Sequence, residues 1–210
     1  METPKRFEGK VAIVTASTQG IGLAIAERLG LEGASVVISS RKQQNVDAAA
    51  EQLRAKGIQV LGVVCHVSSA QQRKNLIDKT VQKYGKIDVV VSNAAANPSV
   101  DAILQTKDSV LDKLWEINVK ATILLLKALA AEMAPNTRVN CVAPGFVPTN
   151  FASFITSNDA VKKELEEKTL LGRLGTTEDM GAAAAFLASD DAAYITGETI
   201  VVAGGTPSRL

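Results

Sequence analysis

The stretch Val11-Ala-Ile-Val-Thr-Ala-Ser-Thr-Gln-Gly-Ile-Gly22 constrains this chain more than any other: an apolar run, a turn of small residues, then a helical pattern from Ile21. Val11 to Val14 are β-branched or small enough for a strand buried on both faces. Ile21, Ala24, Ile25, Arg28 and Leu29 recur at helical spacing, and Gly33 ends the pattern. A helix that starts in such a turn points free N–H groups and the positive end of its dipole at an anion, and Gly20 and Gly22 let the backbone approach it closely. A pyrophosphate is the natural guest. Two glycines alone carry little specificity, because an ordinary strand-to-helix turn reads the same way.

Repetition of the pattern gives the fold. Ser35–Ser39, Val60–Val64 and Ile87–Ser92 read as further strands. Asn45–Lys56, closed by Gly57, and Ser69 or Ala70 to Tyr84, stopped by Gly85, read as helices. Strands too apolar to face water, alternating with helices, predict an α/β chain: a doubly wound, Rossmann-like parallel sheet with helices on both faces. Later, Arg138–Ala143 reads as a buried strand, Ala160–Lys168 as a charged helix and Ile200–Val202 as the last strand. Thr176-Thr-Glu-Asp179 caps a helix running through Phe186. With 210 residues, 46% apolar content and a formal charge of +1, a single domain over 1–210 is expected, without electrostatic bias toward nucleic acid or membrane. The longest apolar stretch, Ala121–Leu126, lies between Lys120 and Lys127 and is too short to span a bilayer. Met1–Lys10 lacks the apolar core of a secretory signal. Cys65 and Cys141 both fall in apolar strand-like runs and read as buried thiols; with a single histidine, zinc binding is not expected.

The end of the second strand bears on cofactor choice. A dinucleotide fold selecting NAD places an acidic residue there for the ribose 2′-hydroxyl, whereas this chain has Ser39-Ser40-Arg41-Lys42. The Arg41 guanidinium suits a 2′-phosphate and Ser39 can add a hydrogen bond, which points to NADP(H). A solvated basic turn is the alternative.

Thr15-Ala-Ser-Thr-Gln-Gly-Ile-Gly22, Asn93-Ala-Ala95, Asn118-Val119, Arg138-Val-Asn140 and Pro144-Gly145, in this order, resemble the short-chain dehydrogenase/reductase family. The resemblance is strongest to its NADP-dependent carbonyl reductase or tropinone-reductase-like branch, near the dehydrogenase/reductase member 4 group. It implies that Ser17, Gln19 and Ile21, with Thr15, Gly20 and Gly22, line the pyrophosphate turn. Asn93 and Ala94 would lie on the ribose side of the fourth strand, Pro144, Gly145, Val147 and Thr149 would meet the nicotinamide carboxamide, and Asn118 would hold a proton-relay water. Asn118 in an apolar helical pattern could equally satisfy backbone within its helix. Ala16 stands where the family's turn has its first glycine. Cys65-His66-Val67 stands where many members have an aspartate beside the adenine, so His66 there either stacks or donates, or is a surface histidine.

The resemblance also implies a catalytic serine on a strand, followed by Tyr-x-x-x-Lys on a long helix, between Asn118 and Arg138. This chain has only Val119 to Thr137 there, and Lys127 runs straight into Ala128 as if two helices were spliced. Of the two tyrosines, Tyr84 is followed four places on by Asp88 and Tyr194 by Glu198. The expectation is a fold short of one strand and most of one helix between 119 and 137. One right-handed crossover would then join the fourth strand to Arg138-Val-Asn140 without a gap in the sheet. Because the affected helices form the subunit interface in the family, homo-oligomerisation would be weakened and apolar surface around Leu124–Leu129 exposed. Pro148–Asn158 and the charged helix correspond to a mobile substrate lid. Ser208-Arg209-Leu210 resembles the address read by the peroxisomal import receptor, placing the protein in peroxisomes or otherwise in the cytoplasm. Two functions follow: an NADP(H)-dependent reductase of small carbonyl or alcohol substrates, here catalytically impaired, or a non-catalytic nucleotide-binding or interaction protein on the same fold.

Overall fold

The computed structural model describes residues 5–99, 103–133, 137–152 and 158–206. Residues 208–210 and part of the expected lid, 153–157, lie outside this set. The first half alternates as the sequence predicts: β1 (Val11–Val14), α1 (Gly20–Leu31), β2 (Ser35–Ser40), α2 (Gln43–Ala55), β3 (Val60–Val64), α3 (Ala70–Tyr84) and β4 (Val89–Val91). Its punctuation is local chemistry. The Ser69 hydroxyl caps α3 by accepting from Gln72 N–H, and Gly85 ends it at φ +78°, the left-handed region that glycine enters without a Cβ penalty.

The strands form one parallel sheet in the order β3-β2-β1-β4, with Ala12 lying between Val36 and Val89. The period of two divides the strands between two cores. Ala12, Val14, Val36 and Ile38 face Ile25 and Leu29 of α1 and Ala50 and Leu53 of α2. On the other face Val11, Ile13, Val37 and Val63 meet Leu76 and Ile77 of α3 and Leu125 further on. Leu29, Leu53, Leu76 and Leu125 are fully buried, each worth about 1.5–3 kcal/mol in transfer free energy. This is the doubly wound arrangement.

Beyond β4, helix α4 (Asp108–Leu114) runs into a π-helical turn, Trp115–Lys120, and on into α5 (Ala121–Met133), which passes through Lys127 and Ala128 without interruption. Trp115, Val119, Ile123 and Leu126, at helical spacing, leave an exposed apolar stripe. The chain then forms β5 (Cys141–Pro144), α6 (Asp159–Glu167), α7 (Thr177–Ala188) and β6 (Thr199–Val202). Thr176 and Asp179 make the expected capping box on α7.

The sheet is not continuous. β5 pairs with β6 in a separate two-stranded parallel sheet, and no ladder joins it to β4. The gapless sheet expected from the sequence is therefore corrected, and so is the buried strand at Arg138–Ala143: the ladder covers only Cys141–Pro144, and Val139 and Cys141 are exposed. A strand is buried when it has neighbours on both edges and cover on both faces. β5 has β6 on one edge and open space on the other. Cys141 is thus an exposed thiol, whereas Cys65 is buried as expected and its pKa is pushed up to about 11 by that burial.

Helix packing and arginines bind the two sheets together. Ala184 and Ala185 of α7 join the core around Ile25 and Leu29. Gly181 passes so close to α1 that a Cβ would meet the Ala24 carbonyl oxygen at 3.1 Å. The Arg138 guanidinium donates to the carbonyls of Leu187 (2.8 Å), Ser189 (2.9 Å) and Ile195 (3.2 Å). Arg6 donates to both oxygens of the buried Glu32 carboxylate (2.6 and 2.9 Å) and to Asp191 beyond α7 (2.9 Å), and Arg28 adds a third bond to Glu32 (2.5 Å). Burial alone would raise the Glu32 pKa, but the bonds from Arg6 and Arg28 outweigh it and hold the carboxyl below its usual range.

A carboxyl whose folded pKa is depressed contributes stability above its unfolded pKa and loses it as pH falls through the folded value. Glu32→Gln is expected to cost about 2 kcal/mol at neutral pH, the worth of a hydrogen bond to a charged group. It should also flatten the decline in stability below about pH 4.5, the unfolded-state glutamate range. Urea unfolding at pH 7 and pH 4 measures both; a variant with the parent's acid slope would show that Glu32 is not the responsible group.

Candidate functional site

The candidate site lies at the carboxyl edge of the four-stranded sheet. Connections from β1 run outward through β2 to β3, then return to β4 on the other side of β1, so a crevice opens between the ends of β1 and β4. The glycine turn fills its floor. Gly20 sits at φ +57°, and Gly22 has no room for a side chain: a Cβ would collide with the Asn93 amide nitrogen and come within 2.6 Å of the Ala16 carbonyl oxygen. Ala16 itself takes φ +50°, at a cost of about 1–2 kcal/mol for a residue with a Cβ. The Asn93 amide compensates, donating to the carbonyls of Thr15 and Ala16 at 3.1 Å each.

Several residues expected to line the turn hold it together. Thr15 is buried, and its hydroxyl accepts from the N–H groups of Asn93 (3.0 Å) and Ala94 (3.2 Å), stapling the end of β4 to the end of β1. Ser17 is buried beneath the turn; its hydroxyl donates to Val14 C=O (2.6 Å) and accepts from Ser39 N–H (3.1 Å). Gln19, the N-cap residue of α1, is exposed and makes no side-chain cap, so the first N–H groups of that helix remain open. Ile21 is half-buried at the cleft side.

The distant end of the chain closes over the turn. Gly145 donates to Val202 C=O at 2.9 Å and lies against Ala203, where a Cβ would come within 2.7 Å. Val147 is buried, Pro144 is exposed, and the Thr149 side chain lies 3.5 Å from where a Cβ on Gly20 would stand. Asn150 donates to the Gln19 side chain at 3.1 Å. That pairing had no signal in the sequence, since 131 positions separate the partners.

At the end of β2, Ser39 is fully buried, and its hydroxyl is the one buried side-chain polar atom without a partner among the described residues. Arg41 follows it, exposed. No carboxylate stands between them. At the end of β3, His66 is half-buried with Nδ1 2.7 Å from the Ser68 hydroxyl, and Val67 is buried, its carbonyl accepting from Arg73 at 2.6 Å. Asn118 lies in the π turn, and its amide does not serve its own helix. Oδ1 accepts from Ala96 N–H (2.7 Å) and Nδ2 donates to Ala96 C=O (3.0 Å), tying the segment after β4 to the helix. Among the described residues no cluster of His, Cys, Asp or Glu is placed to hold a metal, and no helix is long and apolar enough to cross a membrane.

Orphaned Ser39, the uncapped start of α1 and a turn in which Gly22 has no room for a side chain are together the features of a dinucleotide-binding α/β fold. Residues 10–137 match the family model described as short chain dehydrogenase, and residues 120–207 one described as Enoyl-(Acyl carrier protein) reductase. The chain belongs to the short-chain dehydrogenase/reductase family of oxidoreductases. It is 65% identical to Tropinone reductase-like 3 of Erythroxylum coca, over 98% of this chain and 96% of that one. To Dehydrogenase/reductase SDR family member 4 of Homo sapiens it is 43% identical, over 96% and 88%. Among solved structures, a gluconate 5-dehydrogenase from Burkholderia cenocepacia J2315 in complex with NADP and tartrate superposes with a TM-score of 0.89 at 23% identity, covering 99% of each chain, a likeness of fold. The alignment with the coca relative runs over 248 positions against 210 residues here, so at least the difference, 38 positions, has no counterpart in this chain.

Gly22→Ala tests the turn. The new Cβ has to displace Asn93 or the Ala16 carbonyl, so the variant is expected to lose about 1–3 kcal/mol of stability. Chemical denaturation gives the cost; a stable variant would mean that the turn has more slack than its contacts imply.

Proposed function

We propose that this member of the family binds NADP(H) in preference to NAD(H), and that as it stands it reduces carbonyl substrates poorly or not at all. The observation that carries the cofactor preference is the end of β2. A buried serine hydroxyl lacks a partner, an exposed guanidinium follows, and no carboxylate is present to repel a 2′-phosphate. The pyrophosphate would lie over the turn at the N-terminus of α1, with Gly20, Ile21 and Gly22 beneath it and Gln19 beside it. Asn93 and Ala94 would border the ribose, Val67 and His66 the adenine, and Pro144, Gly145, Val147 and Thr149 the nicotinamide end. Thr15 and Ser17 would act from below, by fixing the turn.

Impaired chemistry follows from the residues available for proton transfer. Reduction of a carbonyl leaves negative charge on oxygen, which needs a placed hydrogen-bond donor and then a proton. In the family a serine and a tyrosine beside a lysine are expected to do this. Neither tyrosine of this chain has a lysine four residues on; half-buried Tyr84 closes α3 and exposed Tyr194 stands in the loop before β6. Asn118 would remain as the family's relay residue, but its amide is engaged with Ala96. Loss of general acid catalysis alone is worth about a hundred- to ten-thousandfold in rate. A nucleotide-binding protein without catalysis is the second reading, supported by the same imbalance between an assembled turn and a missing proton donor. Where Leu210 is the terminal residue, Ser208-Arg209-Leu210 would address the protein to peroxisomes.

Calorimetry with NADPH and NADH on the 210-residue chain, followed by cofactor oxidation with a panel of ketones and quinones, tests both parts. NADPH is expected to bind more tightly, and Arg41→Asp to weaken it by about tenfold or more, the loss of one charge-assisted contact. Equal affinity for the two cofactors would overturn the preference, and turnover typical of the family would overturn the impairment.

A further inference from the structure

We infer that the gap between β4 and β5 is a docking slot for one extended peptide strand, apolar on both faces, supplied in trans by the segment that a longer relative has and this chain lacks. The gap is a cleft of about 730 Å³ running the length of both strands, from Ile87 to Asn93 on one side and from Thr137 to Pro144 on the other. β4 is the outer strand of its sheet and β5 of its own, so each turns an unpaired edge toward the cleft. Such edges are templates for another strand.

Both strands end at the same side of the molecule. β4 runs into Asn93 at the glycine turn, and β5 runs through Pro144 to Thr149, which lies on Gly20 of that turn. An inserted strand can therefore lie parallel to both. Seven residues of β4 and its flanks line the cleft, about 20 Å at the rise of an extended chain, which suits a strand of the common length of five or six residues. The faces of the slot settle the chemistry of its occupant. Ile25, Met180, Ala184 and Leu187 of α1 and α7 lie on one side and Thr122 and Leu126 of α5 on the other, with no charged group among these six; the charged residues that line the cleft, Arg6, Lys10, Asp88, Arg138 and Asp190, stand before β1, β4 and β5 or after α7, at the end away from the glycine turn. A peptide apolar at successive positions fits, as in the interior strands of a parallel sheet. The alignment with the coca relative shows that a longer family member carries at least 38 positions absent here, as many as 248 exceeds 210.

Cys141 lines the cleft and is exposed, while Cys65 is buried with its thiol pKa raised, so the chain carries a reporter and an internal control. The experiment uses the full chain and synthetic peptides covering the segment of Tropinone reductase-like 3 that aligns to no residue of this chain. It follows maleimide labelling of each cysteine and hydrogen exchange of the Val90 amide: Val91, whose carbonyl accepts from Thr15 N–H, faces β1 with Val89, so Val90 between them faces the cleft. At a hundredfold excess over the dissociation constant only about 1% of the chain is free, so Cys141 labelling should slow by up to about a hundredfold with the Val90 amide newly protected. A peptide with proline at the centre of the strand should not protect, because it cannot donate to the ladder. Unchanged labelling at millimolar peptide, or equal protection by the proline peptide, overturns the proposal. So does protection of Cys141 without peptide: if it disappears on dilution a second copy fills the slot, and if it persists the chain's own residues fill it. Neither readout involves the nucleotide, so failure here is separable from failure of the proposed cofactor binding.

Discussion

The contact between α1 and α7 holds the rest together. In an unbroken parallel sheet the backbone ladder fixes each strand to the next, but here the ladder stops at β4 and resumes at β5. The positioning of one half against the other falls to side-chain packing. Small residues make this possible: Gly181 brings the backbone of α7 against Ala24, and Ala184 and Ala185 let Ile25 and Leu29 pack into a common core. A larger residue at 181 would push the helices apart and carry β5, β6 and the loop at Thr149 away from the turn they cover.

Electrostatics secures the same joint at its other end. Arg6 reaches the buried Glu32 at the end of α1 and Asp191 just past α7, while Arg138 holds three carbonyls around the end of α7. A guanidinium suits this task because its planar donors satisfy several acceptors at once without leaving a buried carbonyl unpaired. These clamps lie away from the glycine turn, so rigidity is concentrated at the base of the molecule. At the opposite edge the two halves meet through lighter contacts, Thr149 on Gly20 and Asn150 to Gln19.

What the sequence revealed and what it hid divide along the range of the interactions. The strand, turn and helix of Val11–Leu31, the alternation through β4 and the Thr176–Asp179 capping box depend on neighbours a few residues away, and all were legible. Arg138–Ala143 has the composition of a central strand, and composition alone reported burial. Its surroundings depend on a second neighbour strand, and among the described residues only β6 pairs with it, so Cys141 came out exposed. Thr15, Ser17 and Asn93 were legible as residues at or beside the turn, but the hydrogen bonds they make there were not. Only the folded geometry shows that the hydroxyls and the amide are spent on holding the turn. The π turn at Trp115–Lys120 had no signal, since one extra residue in a helical turn leaves the apolar spacing readable as an ordinary helix.

These separate points meet at the end of β4. Ser92 and Asn93 line the gap in the sheet on one side, and Asn93 bonds to Thr15 and Ala16 of the turn on the other. The last strand beside the gap is therefore also the wall of the nucleotide crevice. An unpaired edge is free to twist, and twist at β4 moves the Asn93 amide that compensates the left-handed Ala16. An occupant of the gap that paired with β4 would also fix that wall, so the docked strand proposed above carries with it a coupling to the affinity of the crevice. The first half of the chain contains a whole turn, and only Ser92 separates the open edge of β4 from Asn93, whose amide holds that turn.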